Sequence, residues 1–329
     1  MTHVIKTDQL TKTYNTFKAV DNLNISVDKG EIFGLLGPNG AGKTTTVSML
    51  CTILKPSSGT ATVDGYNVVK ESGKVRKSIG IVFQDPSIDD RLTGRENLLM
   101  HANLYGVPAS IQRERILQVL KLVELEDRAD DLLRTYSGGM RRRLEIGRGL
   151  IHQPKVLFLD EPTVGLDPQT RDHIWRYIKE LKEVNDITVV LTTHYMDEAD
   201  RLSDRIAIMD HGKIVVLDSP QDLKGTLEGD VIAIKSNDNK ILEELLTKWL
   251  GFANQHHAKE ILEVTVPNGK AAMPRIVELA NQNNIYIESI VLCEPNLEDV
   301  FLHYTGGNIR DDTAKELHGL SAIHRRAIR

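Results

Sequence analysis

The chain has 329 residues, 40% of them hydrophobic and 26% charged, an ordinary globular composition with length for two domains. A formal net charge of −5 argues against a broad basic face for DNA or RNA, though not against a local one, and no nucleic-acid partner is expected. Two cysteines, Cys51 and Cys293, exclude a disulfide framework, and no apolar run approaches the roughly 20 residues that span a bilayer.

In chain order, Ile32 to Leu36 (IFGLL) is a short apolar run that predicts a buried strand. Gly37 to Gly42 forms a loop, and a helix is predicted from Thr44, with Val47, Leu50, Cys51 and Leu54 at helical spacing and Lys55-Pro56 as its end. From about 90 to 150 the pattern is all helical, in LTGRENLLMHANLYG and IQRERILQVLKLVEL. Strand character returns at Val156–Leu159, Thr188–Thr192 and Ile206–Met209, with HIWRYIKELKEV as a helix between the first two. This alternation predicts an α/β fold with a mostly parallel sheet covered by helices.

The turn-rich stretch from Pro220 to Gly229 marks a boundary. The first domain is placed at 1–222 and a small C-terminal α+β domain at 228–306. The latter has strands in VIAIKS, ILEVTV and IYIESIVL and helices in ILEELLTKWL and PRIVELANQ. The tail, 307–329, is polar and expected to be poorly ordered, and its basic end AIHRRAIR reads as solvated.

GPNGAGKT, Gly37 to Thr44, fits G-x-x-x-x-G-K-[ST] between a strand and a helix, the context a phosphate loop requires. Glycines let successive N–H groups turn toward phosphate oxygens, and the helix adds its positive N-terminal end. Lys43 is expected to reach the β- and γ-phosphates, and Thr44 to ligate Mg²⁺. The core is therefore predicted to be a phosphate-loop NTPase. VLFLDEP then brings Asp160 and Glu161 to a strand end, Asp160 as the Mg²⁺ partner and Glu161 as general base toward water.

Further landmarks follow in a fixed order. YSGGM, Tyr136 to Met140, opens a helix and resembles the ABC signature. Gln84 resembles the Q-loop glutamine, GLDP (Gly165 to Pro168) the D-loop, His194 the switch histidine, and Tyr14 the aromatic that stacks on adenine. Over residues 1 to about 220 the chain thus resembles the ATP-binding subunits of ABC transporters.

The resemblance implies ATP and Mg²⁺ as cofactors and nucleotide contacts from Tyr14 and from Gly37, Pro38, Asn39, Gly40, Ala41, Gly42, Lys43, Thr44 and Thr45. Gln84 is implied at the metal and in catalysis, with Glu161 and His194. It also implies a head-to-tail homodimer, in which Ser137, Gly138, Gly139 and Asp167 meet the nucleotide of a second copy. A membrane permease on a separate chain is the other implied partner, which places the subunit peripherally on the cytoplasmic face of the membrane. The competing class is a soluble ABC ATPase of translation or DNA repair. Against it, the chain carries one motif set and an insert of under about 70 residues, too short for a long coiled coil. PNLEDVFLHYTG, Pro295 to Gly306, resembles the ending of daunorubicin-resistance-type exporter ATPases, which favours export over import. Gly147 and Gly149 stand where that family usually has alanine; each costs about 1 kcal/mol of helix stability, and the two readings are tolerated drift, which is favoured, and close packing of another backbone.

Overall fold

The protein is described by a computed structural model covering residues 3–305, apart from 86, 186, 228, 251–254 and 259–260. The basic tail lies outside the described residues. The chain divides into two compact units that meet in sequence at Pro220–Gln221.

In the first unit the strands are β1 (His3–Tyr14), β2 (Phe17–Leu23), β3 (Ser26–Asp28), β4 (Ile32–Leu36), β5 (Ser58–Val63), β6 (Tyr66–Asn67) and β7 (Ile79–Val82). They are followed by β8 (Val156–Asp160), β9 (Thr188–Thr193), β10 (Arg205–Asp210) and β11 (Lys213–Asp218). Its helices are α1 (Lys43–Leu50), α2 (Ser72–Ser78), α3 (Gly94–Leu104), α4 (Ala109–Leu122), α5 (Gly138–Leu150), α6 (Pro168–Asn185) and α7 (Met196–Leu202).

The central sheet has six strands in the order β11-β10-β4-β9-β8-β7, parallel except for the β11 edge. Both its faces are covered, which is why β4, β8 and β9 are apolar or buried throughout. Alternation divides their side chains between two cores. Leu157, Leu159, Val189 and Leu191 join the helical side with Leu98, Leu120, Leu144 and Ile178. Val156, Phe158, Val190 and Phe33 join the other side with Val47, Leu50 and Val63. A second, antiparallel sheet, β2-β1-β5-β6 with β3 on β1, stands outside the sequence expectation. Its strands are half exposed and broken by register shifts, so their hydrophobic pattern is weak.

Helix α1 ends at Leu50, before Leu54, because Thr52 turns into the left-handed region at φ +64°. Leu54 still packs against the core, from outside the helix. Helix α3 starts with a capping box: Glu96 N donates to Thr93 Oγ1 at 3.2 Å, and Thr93 N donates to Glu96 Oε2 at 2.8 Å.

Of the two α5 glycines, Gly147 departs from the expectation of drift. A Cβ on Gly147 would stand 2.8 Å from Val123 Cγ1 and 2.9 Å from Val119 Cγ1, so an alanine there would force the packing of α4 on α5 to shift. At Gly149 the nearest atom would be Leu157 Cδ1 at 3.2 Å, a tight fit. The Gly149 carbonyl in turn lies 2.2 Å from where a Cβ of Gly80 would be, so α5 and β7 meet backbone to backbone.

The second unit opens in α8 (Pro220–Gly225) and contains β12 (Asp230–Ser236), α9 (Asn239–Leu250), β13 (Gln255–Ala258), β14 (Ile261–Val266), α10 (Gly269–Gln282), β15 (Ile287–Cys293) and α11 (Leu297–Thr305). Its antiparallel sheet runs β13-β14-β12-β15. Ile232, Ile234, Leu262 and Val264 alternate into one core with Leu242, Leu246 and Ile276. Strand β13, QHHA, has no apolar alternation and escapes sequence reading. Helix α10 begins five residues before Pro274, because the Asn268 side chain accepts from Ala271 N at 3.0 Å and caps it there. Among the described residues, no helix is long and apolar enough to cross a membrane.

Candidate active site

The site gathers at the C-terminal ends of β4, β8 and β9, where an open α/β sheet presents its loops to ligand. The loop after β4 is set by its glycines. Gly42 precedes α1 at φ +104°, and a Cβ there would lie 2.4 Å from Ala19 O, while one on Gly37 would lie 2.3 Å from Met209 O. Only glycine permits both approaches. Gly40, at φ +81°, completes the inward turn, and Ala41 is buried with its carbonyl accepting from Gly212 N at 3.0 Å.

This loop forms one wall of an open cleft of about 290 Å³. Asn39, Gly40, Gly42, Lys43, Thr44 and Thr45 line it, together with Tyr14, Gln84 and Glu161. Gly37 and Pro38 serve the site through their carbonyls, which accept from Lys43 Nζ at 2.8 and 3.2 Å. Burial presses the Lys43 ammonium below its usual pKa, against the opposing charges of Glu161 and Asp160.

Asp160 ends β8 and Glu161 follows it, both nearly buried. Thr44 Oγ1 donates to Asp160 Oδ1 at 3.2 Å, and the Thr192 hydroxyl donates to the same oxygen. One hydroxyl and one carboxylate make a partial set of hard oxygen ligands. That suits a Mg²⁺ ion that keeps water and takes its remaining ligands from a polyphosphate. The donor set therefore fits the metal.

Glu161 Oε1 lies 3.2 Å from His194 Nδ1 and 3.6 Å from Lys43 Nζ. Burial draws the carboxyl's pKa up, but the hydrogen bond and charge of His194, then Lys43, outweigh it and leave it below its ordinary value. An ionised carboxylate at a cleft wall is equipped to accept a proton from water.

The remaining predicted residues stand apart from this cleft. Ser137 caps α5, its Oγ accepting from Met140 N at 3.3 Å, and Ser137 and Gly138 are exposed. Gly139 faces Thr170, whose Cγ2 would lie 2.5 Å from a Cβ there. Asp167 caps α6, accepting from Thr170 Oγ1 at 2.6 Å and Thr170 N at 3.0 Å, and those bonds, the hydroxyl's first, hold its carboxyl below the usual range. None of the four lines the cleft.

Phe17 was missed by sequence reasoning. It pairs with Tyr14 across the β1–β2 hairpin and lines the same cleft, as does Ala19. The available signal was the pair of aromatics flanking a two-residue Asn-Thr turn.

The ABC transporter family model matches residues 20–164, and that of the DrrA1-3-like C-terminal domain of ATP-binding proteins matches residues 219–305. The daunorubicin/doxorubicin resistance ATP-binding protein DrrA of Streptomyces peucetius is 40% identical over 96% of this chain and 96% of its own. The linearmycin resistance ATP-binding protein LnrL of Bacillus subtilis (strain 168) is 38% identical over 94% of this chain and all of its own, 100%. Among solved structures, the ATP-binding cassette MJ0796, a dimer in a post-hydrolysis state bound to ADP and Pi, superposes with a TM-score of 0.59. It is 30% identical, over 65% of this chain and 98% of that one. With a phosphate loop, an Mg²⁺-competent Thr44–Asp160 pair and relatives along nearly its whole length, the chain belongs to the ATP-hydrolysing, ATP-binding subunits of ABC transporters, in the group with a DrrA1-3-like C-terminal domain.

Proposed function

We propose that this subunit powers export of a hydrophobic compound (a drug, an antibiotic or a lipid-linked molecule) through a separate membrane permease, as one of two identical copies on the cytoplasmic face of the membrane. The names of its resistance-protein relatives support the direction of transport. The division at Pro220–Gln221 supports an ATPase domain followed by a C-terminal domain with a structural or regulatory role.

In this reading Lys43 and the N–H groups of Gly37–Thr45 hold the triphosphate, and Tyr14 stacks on the base. Thr44 and Asp160, with Gln84, would hold Mg²⁺, which neutralises phosphate charge. Glu161 takes a proton from the attacking water, and His194 orients Glu161 and contacts the γ-phosphate. Ser137, Gly138, Gly139 and Asp167 complete the site of the second copy.

The observation that carries the reading is the separation within one chain of two glycine turns suited to phosphate. One lines the cleft; the other heads α5 in solvent. A triphosphate bridging them across a two-fold axis would close the dimer, and losing its terminal phosphate would loosen it.

The test is light scattering of full-length Glu161→Gln with Mg·ATP. A dimer that persists with ATP and is absent with ADP is the expected result; a monomer in both overturns the sandwich. Tagged protein extracted in detergent is expected to bring down a polytopic membrane protein. Recovery with ribosomes or DNA instead would overturn the transporter assignment.

A further inference from the structure

Helix α5 carries a charged row that the reaction above leaves unused: Arg142, Glu145 and Arg148, at i, i+3 and i+6 on one face, each nearly buried. Arg142 is the hub. Its Nε donates to Pro162 O at 2.7 Å, and its Nη2 to Asp160 O at 3.1 Å and Glu161 O at 3.2 Å. Its Nη1 donates to Phe83 O at 2.7 Å and to Glu145 Oε2 at 3.0 Å. The planar fork of one guanidinium thus spans the backbone after β8 and the residue before Gln84. Glu145 Oε1 accepts from Ser87 N at 2.9 Å, and Arg148 donates to the carbonyl and hydroxyl of Ser87. Both flanks of the Gln84 loop are therefore bonded to the helix that Ser137 heads.

A second, independent observation bears on the same turn. Glu161 sits at φ +47°, in the left-handed region that side-chain-bearing residues disfavour. Such a conformation persists only where the surroundings over-determine it. On one side Glu161 N donates to Thr192 O at 3.2 Å and to Thr192 Oγ1 at 3.0 Å; on the other, its carbonyl is held by Arg142. The aim of the carboxylate depends on that backbone.

We propose that Arg142 is a positioning residue for hydrolysis: it holds the strained 160–162 turn, and through it the Glu161 carboxylate, in register with the Gln84 loop and the Ser137 end of α5. The proposal rests on Glu161 acting as the base. A guanidinium that merely satisfied buried carbonyls would contribute to stability but leave turnover per folded molecule unchanged.

The experiment compares full-length Arg142→Lys and Arg142→Met with the unaltered chain, reading Mg·ADP affinity, melting temperature and kcat. A lysine keeps charge and length but cannot span carbonyls on two loops. Arg142→Lys is therefore expected to keep affinity within about threefold while kcat falls about 30- to 100-fold, the scale of a misplacement near 1 Å. Arg142→Met should lose more melting temperature than Arg142→Lys yet have a similarly low kcat. Should Arg142→Met fail to fold, Arg142→Lys decides alone. On a Glu161→Gln background, Arg142→Lys is expected to slow hydrolysis less than about threefold further, because the two act through one group. A kcat for Arg142→Lys within about threefold of the unaltered chain, or full additivity in the double variant, overturns the proposal. Normal hydrolysis by Glu161→Gln alone would instead remove Glu161 from the base role, a separate outcome.

Discussion

Two buried glutamates at the same end of the central sheet have opposite fates. Glu161 follows β8 at the cleft wall, and Glu198 lies on α7 behind it, 7% and 1% exposed. Glu198 Oε1 accepts from Thr163 Oγ1 at 2.7 Å and from Trp175 Nε1 at 2.9 Å. Those neutral donors, with Thr193, oppose the effect of burial without overcoming it, and the carboxyl's pKa stays raised. Glu161 meets an imidazole and an ammonium, and its pKa is lowered although burial pulls the other way. Depth alone does not decide which way a carboxyl's pKa moves; the hydrogen bonds and charges of its neighbours do. One glutamate is thereby prepared for proton transfer and the other for holding α6, α7 and the turn after β8 together.

The sharpest way to break this contrast is to remove both charges in turn. Glu161→Gln is expected to lower kcat about 10²- to 10⁴-fold while leaving nucleotide affinity intact, measured by steady-state ATPase and binding calorimetry. Glu198→Gln should leave kcat within about threefold; a collapse comparable to that of Glu161→Gln would erase the distinction. Lys43→Ala removes the ammonium beside Glu161. It should weaken Mg·ATP binding about 10- to 100-fold, as expected for loss of charged hydrogen bonds. The acid limb of residual kcat/KM, set by Glu161, should also move to higher pH, since a cation that favoured the ionised form is gone.

Gly147→Ala tests the packing of α4 on α5. Overpacking against Val119 and Val123 should cost about 1–3 kcal/mol in denaturant unfolding. A rise in stability would restore the drift explanation. The smallest effect concerns the pH dependence of folding. Glu198 has a folded pKa above 4.5, so the stability tied to its proton is fully present below about pH 4.5 and is lost as pH rises through the folded value. Glu198→Gln lacks that loss. Its melting temperature relative to the unaltered chain should climb as pH rises from about 4.5, and a flat difference would show that folding does not raise the Glu198 pKa.

What the sequence revealed of this site follows physical constraint. Gly37 and Gly42 were legible because no other residue fits against Met209 O and Ala19 O, and Asp160 and Glu161 because they terminate a fully buried strand. Phe17 was hidden because an exposed aromatic beside a turn carries no periodicity. Arg142 lay within an Arg-Arg-Arg run, which reads as solvated charge; only the fold brings Phe83, Asp160, Glu161 and Pro162 around it. The N-terminal segment reads as short β-rich runs between glycine turns, but its antiparallel pairing was not legible because register shifts break the alternation that bounds a strand.

The contact between Gly80 and Gly149 has a mechanical consequence. With no side chain between them, the strand leading to Gln84 and the helix headed by Ser137 have no room to slide past one another. A push on the serine end is therefore expected to reach the glutamine end, although the two loops lie far apart in the chain.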